Sequence, residues 1–517
     1  MKDRHSIKLN RIRSLLVITS CLCIPGYASE LEQIERWGVF EFSSEGITTG
    51  NPYVDVHFKA ELKHGTDTVT VPGFYDGNGI YRIRFSPDRL GKWSYVTKSN
   101  CTELNGQRGS FDCTEPTRRN HGPLRIVNTY YLEYADGTPF YSIGTTAYQW
   151  TSVKQSIQEQ TVKTLTYAPF NKIRMCVFPK TYKYGNDTEP WQYPFEKQNT
   201  FTKPNSTFFQ NFDKRIKQLL DRSIQADVIL FHPYDKWGYA AMGKEHNERY
   251  VRYMIARLSA YRNVWWSLAN EWDIPRIKDA IDWESIGMLL QKEDPHQRFR
   301  GIHNWYGSED HFYDHTRPWI THTCTQTSQF YNAVKWREQY KKPLLFDEMR
   351  YEGDVESNWG NMSSEEMASY FWMAGLSGGY GTHGDTFKNR SDEETEVRWW
   401  AKGGLLVGSS PQRIAFFKSF METLPIKDMI PSLDDNGDPK NLNNNVYTFA
   451  KENDIYVSYV VDPNVDIDLA LPGDRTYQFK RIDTWDMKIT SQEDVQPGNF
   501  RYTTQNKYEA VYLSLKK

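Results

Sequence analysis

Between Val264 and Asp273 the chain reads VWWSLANEWD, an apolar run with strand character that passes directly into Asn270-Glu271. A second apolar run, Leu344-Leu345-Phe346, passes into Asp347-Glu348-Met349-Arg350-Tyr351-Glu352, and a third segment, Asn171-Lys172-Ile173-Arg174, carries an arginine. A carboxylic acid at each of two strand ends is what cleavage of a glycosidic bond requires. One group protonates the leaving oxygen while the other attacks the sugar or activates water. An inward-pointing Arg174 is expected to hold the attacking carboxylate ionised by lowering its pKa.

Those residues need a scaffold that turns them toward one point. Strands and helices alternate through the middle of the chain. Phe208, Phe212, Ile216, Leu219 and Leu220 share one helical face before the apolar run Val228 to Phe231, and Val251, Met254, Ile255 and Leu258 repeat the pattern before Val264. Eight strands are expected near Tyr141–Thr145, Lys172–Phe178, Val228–His232, Val264–Ala269, Phe299–His303, Ile320–Cys324, Leu344–Asp347 and Gly378–Thr382. This is the pattern of a (β/α)8 TIM barrel, with a two-sided open sheet as the alternative. In such a barrel the site forms at the C-terminal strand ends, and strands four and seven lie across from each other. A carboxylate separation of roughly 5 to 5.5 Å gives retention of configuration.

Flanking segments change period. From Glu30 to Glu115 alternation of period two, as in Val54 to Leu62, is broken by turns such as Asp76-Gly77-Asn78-Gly79, which predicts a small antiparallel β-sandwich. Alternation returns after the helix-like Arg413–Met421 and the prolines 425 and 431, predicting a second sandwich. The expected boundaries are 1–28 for a signal peptide, 30–117, 118–428 for the barrel and 429–517.

The signal peptide is read from Lys2, Arg4, Lys8, Arg11 and Arg13, the apolar run Leu15–Ile24, and Pro25-Gly26-Tyr27-Ala28. It implies export to a periplasmic or extracellular location. The alternative is a lipoprotein anchored through Cys21, from Ile18-Thr19-Ser20-Cys21. No membrane-spanning helix is expected. In an oxidising compartment Cys101 and Cys113 are candidates for a disulfide, whereas Cys176 and Cys324, inside strands, read as buried thiols.

Composition sets limits on partners. Lys and Arg number 63 against 65 Asp and Glu, a net charge of -2 in 517 residues, which provides no pull toward nucleic acid. Aromatic residues make up 15% of the chain. Most are expected in cores; those at strand ends are candidates to stack on sugars.

The Asn270-Glu271 pair after strand four, with Glu348 after strand seven, resembles clan A of the glycoside hydrolases. The segments Leu132 to Tyr141 and Glu348 to Gly353 are similar to apiosidase-like barrels of bacterial polysaccharide degraders, which carry a β-domain on either side. The resemblance implies Glu271 as acid/base, Glu348 as nucleophile and Asn270 as partner of the sugar 2-hydroxyl. Many clan members have a tyrosine after strand six that bonds the nucleophile, where this chain offers His322, Thr323 and Cys324. Many have a tryptophan after strand eight, where it has Tyr380, His383 and Asp385.

The same residues have plainer readings. An isolated Asn-Glu pair is also a helix cap, Asp347 competes with Glu348 for the nucleophile role, and Arg174 is equally a partner for a buried carboxylate. Glu352 and Asp354 read as loop charges. His232, His303 and His383 are expected as polar contacts to substrate, and Tyr148, Trp150 and Trp305 as a stacking wall or as loop packing. No cofactor or metal is expected. Two further function classes are a glycan-binding scaffold without catalysis and a metal-dependent barrel hydrolase; the stretch from Phe140 to Trp150 lacks the His-x-His pair the latter often uses.

Overall fold

A computed structural model describes residues 31–181, 184, 189–196, 200–305, 307–388, 399–433 and 445–516. The signal peptide and the alternative Cys21 anchor lie outside those residues. Among the described residues no helix is long and apolar enough to cross a membrane.

The centre is a ring of eight parallel strands: Gly144–Thr146, Lys172–Cys176, Gln225–Phe231, Val264–Ala269, Arg300–Gly301, Thr323–Gln326, Leu344–Glu348 and Tyr380–His383. Hydrogen-bonded neighbours run five, four, three, two, one, eight, seven, six. The remaining gap is closed by Thr321, whose N–H donates to Arg300 O at 2.9 Å and whose Oγ1 accepts from Arg300 N at 2.8 Å. This is the expected barrel. The first and sixth strands start later than the sequence suggested, and the fifth is a two-residue ladder. Beyond it His303 N still donates to Ala269 O at 3.3 Å, so the chain continues beside strand four without regular pairing.

Helices cover the ring through the faces read from the sequence. In Ser206–Leu220, Phe208, Phe212, Ile216 and Leu219 are buried, and Asn205 caps the start by accepting from the N–H groups of Thr207 and Phe208. Most of the aromatic content is packing: eight of the largest fully buried side chains are tryptophans.

The N-terminal β-domain is one seven-stranded sheet that bends over its own core of Phe40, Leu62, Tyr81, Ile83, Trp93 and Phe111. The long strand Asp67–Tyr75 makes the bend. Its first part pairs with Phe58–His64 and its last three residues with Ile80–Phe85. The corner falls at Gly73, where a Cβ would lie 2.3 Å from Phe58. Contrary to the expected antiparallel sandwich, the edge strand Glu32–Glu35 runs parallel to Arg108–Thr114.

The expected disulfide is absent: Cys101 and Cys113 are free, buried thiols. Cys113 pairs with Gly91 at the start of strand Gly91–Ser99, whereas Cys101 follows that strand's last residue. At ~3.4 Å per residue the strand holds them about 25 Å apart, far beyond the roughly 4.4–6.8 Å between Cα atoms that a disulfide spans.

A buried ionic cluster joins this domain to the barrel. Arg84 donates to Asp213 at 2.8 Å, Arg257 binds the same carboxylate at 2.8 and 2.7 Å, and Arg257 also meets Asp76 at 2.8 Å. Asp213 and Arg257 sit on the helices Ser206–Leu220 and Lys244–Leu258. Removing one member of a buried ion group strands the others, so Asp213→Ala is expected to destabilise by about 3–5 kcal/mol. Chemical denaturation with fluorescence of the two domains checks it. A loss below about 1 kcal/mol would mean the interface does not depend on the cluster.

At the other side, a six-stranded sheet and the pair Asp466–Leu471 with Gly498–Thr503 form the C-terminal β-domain. It docks on barrel helix Ser364–Leu376, where Trp372 stacks on Tyr459 at 5.6 Å.

Candidate active site

Strand four delivers Asn270 and Glu271 to the C-terminal rim. Asn270 N donates to Phe231 O at 3.0 Å and Trp272 N to His303 O at 2.9 Å, which pins the turn to strands three and five. Between them Glu271 takes φ +58°, a left-handed conformation costly for a side chain of its size. Backbone strain of this kind concentrates where a side chain must be aimed. The Glu271 carboxyl is buried and its Oε2 meets no hydrogen-bond partner among the described groups. Burial pushes its pKa up to about 7; Lys180, Tyr234 and Arg174 restrain the rise and Asp273 adds to it.

Glu348 ends strand seven on the other side. It accepts from the Tyr148 hydroxyl, and Arg174 Nη1 stands 3.5 Å from Oε1. Burial pushes this carboxyl up to about 8, partly offset by the Tyr351 hydroxyl. Arg174 points inward as expected, but burial dominates, so Glu348 is not held ionised as anticipated, and the charges explain why. Lys172 and Arg174 alternate on strand two, so both point into the ring. There Lys172 Nζ meets Asp347 at 2.6 Å and Asp227 at 3.1 Å, and Arg174 Nε lies 3.6 Å from Asp227. Two cations face two carboxylates, and no net positive charge is left for Glu348. Burial alone would raise Asp347, but Lys172 and Arg174 outweigh it and hold that carboxyl well below its usual range. Asp347 is consequently committed to Lys172 and Arg174.

Asn270 joins the two halves. Its Oδ1 accepts from the Tyr148 hydroxyl at 3.0 Å and from Arg174 Nη2 at 3.3 Å, which leaves the amide nitrogen to donate outward. Tyr148, from the loop after strand one, thus fills the place for which the sequence offered no tyrosine after strand six.

Both glutamates open into one cavity of about 680 Å³. Tyr148, Asn270, Glu271, Trp305 and Glu348 line it as anticipated. Lys180, Tyr234, Tyr351, Trp359 and Trp400 also line it and were not anticipated. Lys180 and Tyr234 follow strands two and three by a few residues, each just past a proline, a signal the sequence did contain. Trp400 supplies the tryptophan that appeared to be missing after strand eight, arriving from the helical turn Trp399–Lys402, whose Trp400 O accepts from Tyr148 N at 3.0 Å. The Lys180 ammonium lies 3.7 Å from the Tyr148 ring centre and 4.6 Å from that of Tyr234.

Other expected contacts lie behind the cavity wall. His232 spends both ring nitrogens on Phe178 O and Tyr234 N, and Trp150 is fully buried. His383 is buried between Thr145 and Glu352, stacked on Phe170. His303 is fully buried, and burial holds its pKa well below the usual value. Their positions on strand ends are right, but their side chains turn into packing. Glu352 is likewise no loop charge: it is completely buried and accepts from His383, Ser364 and Ser410. Gly408 makes room for it, since a Cβ there would lie 2.2 Å from the carboxyl.

A larger cleft of about 960 Å³ separates the β-domain from helix Lys244–Leu258, but its acids Glu245, Glu248 and Glu293 are paired with Arg249 or Arg252. It lacks facing carboxyls, so the smaller cavity is the candidate site. Among the described residues no group of three or more His, Cys, Asp or Glu is placed to hold a metal ion.

Comparison with known proteins places the family and the fold. Residues 127–428 match the family described as apiosidase-like, catalytic domain, and residues 33–100 match a domain of unknown function, DUF5060. A protein of Bacteroides vulgatus ATCC 8482 named as a candidate glycoside hydrolase is 33% identical, covering 94% of this chain and 100% of its own, with a TM-score of 0.84. A glycoside hydrolase family 5 structure from the same organism shares the fold at 16% identity, covering 76% of this chain and 94% of its own, with a TM-score of 0.59. No curated protein matches significantly. With more than half its length matched and a relative above 30% identity aligned throughout, the chain belongs to the apiosidase-like family of glycoside hydrolase barrels.

Proposed function

We propose that this protein is an exported, retaining glycoside hydrolase acting on a polysaccharide or oligosaccharide, with Glu271 as acid/base and Glu348 as nucleophile. The observation that carries the reading is the pair itself: two buried glutamates from strands four and seven open into one cavity, and the neighbouring Asp227 and Asp347 are both paired with Lys172. The ionised Glu348 attacks the anomeric carbon while Glu271 gives its proton to the departing glycosidic oxygen, leaving a sugar ester on Glu348. Glu271, now a carboxylate, takes a proton from water, whose oxygen attacks the same carbon and releases Glu348. Tyr148 and Arg174 donate to Glu348 as it regains its charge, and the Asn270 amide is placed to hold a sugar hydroxyl.

The pH dependence tests the pairing. Turnover needs Glu348 ionised and Glu271 protonated, and burial has moved both groups upward, to about 8 and about 7. The profile of kcat/KM is therefore expected to peak between about pH 7 and 8 and to fall about tenfold per pH unit on either side. Lys180→Met removes a charge that lowers the Glu271 pKa, so the optimum, midway between the two values, should move to higher pH. An optimum near pH 5 that does not move in that variant would remove both groups from these roles.

A further inference from the structure

Asp273 closes the Asn270-Glu271-Trp272-Asp273 run and, beyond the charge it adds beside Glu271, has been given no role above. Its side chain is 4% exposed, and both oxygens are committed to one loop. Oδ1 accepts from Trp305 N at 2.6 Å, and Oδ2 meets His311 Nδ1 at 2.8 Å. Trp305 and His311 both belong to the connection after strand five, His311 ending the short turn Glu309–His311. That connection contributes Trp305, Gly307 and Ser308 to the cavity wall.

The Trp305 indole is 45% exposed, while eight other tryptophans are fully buried. A large ring held half open at the mouth of a polar cavity gains little by packing. Its face suits the C–H side of a sugar ring. Its location gives it a side of the scissile bond: the carboxylate that fixes its backbone stands two residues from Glu271, and Glu271 addresses the leaving oxygen. The strut therefore ties the platform to the acid.

We propose that Asp273, braced by His311, is the positioning residue of a subsite for the sugar on the leaving-group side, with Trp305 as its platform. The proposal rests on the assignment of Glu271 as the acid. Without the strut the loop still exists, but the ring is no longer held at a fixed place relative to the proton donor, and such misplacement costs affinity for a substrate that reaches it.

The experiment compares two substrates with the same reacting sugar: an oligosaccharide that fills the leaving side and the corresponding glycosyl fluoride, whose leaving group has no ring to stack. Asp273→Ala and Trp305→Ala are each expected to lower the ratio of kcat/KM for oligosaccharide over fluoride by about tenfold, chiefly through KM, and the double variant to fall no further than Trp305→Ala. Asp273→Asn, which keeps an acceptor for Trp305 N–H, should retain most of the ratio and guards against a folding defect. Equal losses on both substrates, a ratio lost through kcat with KM unchanged, which is the mark of a disabled acid, or an additive loss in the double variant would overturn the proposal while leaving the glycosidase reading intact. Failure of the wild-type protein to turn over either substrate would remove that reading and the proposal with it.

Discussion

Glu348→Gln is expected to cut turnover by on the order of 1,000-fold or more while leaving the fold in place, because an amide cannot form the sugar ester. Glu271→Gln should fail differently. In kcat/KM, which reports the first step, it is expected to lose about 100- to 10,000-fold on a glycan, whose leaving oxygen needs a proton, and much less on a glycosyl fluoride, whose leaving group does not. That contrast separates acid from nucleophile, and steady-state kinetics on the two substrates reads it. Equal losses on both substrates for both variants would mean the roles are misassigned. The same substitutions have a stability signature of opposite sign. A carboxyl with an ordinary value of 4.5 that is pushed to about 8 favours the folded state below pH 4.5 and loses that contribution as pH rises through about 8. Glu348→Gln should therefore melt higher than wild type near pH 9, by an amount worth several kcal/mol at most, with the gap closing by about pH 4.5. Active sites that bury charge for function are often relieved by its removal.

The second large effect is expected beneath the site. Lys172 bridges Asp227 and Asp347 at 3.1 and 2.6 Å in a region with almost no solvent contact. Lys172→Met leaves two carboxylates and one guanidinium in the ring and is expected to destabilise by about 3–5 kcal/mol. A compensated variant, Lys172→Met with Asp227→Asn, restores the balance of charge and should recover a substantial part of the loss. Urea denaturation of the three proteins measures both steps. If the double variant were as unstable as the sum of its parts, packing rather than charge would govern this layer. The cluster also explains why Glu348 sits so high: Arg174 touches it, but its charge is shared with Asp227 and Asp347.

The barrel was legible because its signal is repeated. Buried strands such as Val264–Ala269 and Leu344–Glu348 open on runs of apolar residues, Val264-Trp265-Trp266 and Leu344-Leu345-Phe346, and the helices between them carry one apolar face each. The candidate pair at the cavity followed, since a strand end is a place the sequence can name. The direction of a side chain beyond that end is set by the loop, and there the reading failed. His232 and His383 stand at strand ends as expected, yet they serve Phe178 and Glu352. Trp400 reaches the site from a turn well beyond strand eight, by a contact with Tyr148 that periodicity does not encode. The rejected Cys101–Cys113 bridge shows the same limit: sequence separation was compatible with a link, but the hairpin register sends the two residues to opposite ends of one strand. Networks such as Lys172 with Asp227 and Asp347 depend on three strands meeting inside a ring, and no local pattern announces them.

The most direct measurement is sugar release from a panel of plant, algal and host polysaccharides and oligosaccharides, wild type beside Glu348→Gln, with the anomeric form of the first product followed by NMR. The account predicts that wild type alone releases sugar from at least one of them and that the product first appears with the anomeric configuration of the bond that was cut. Product of inverted configuration, or equal release by Glu348→Gln, would contradict it.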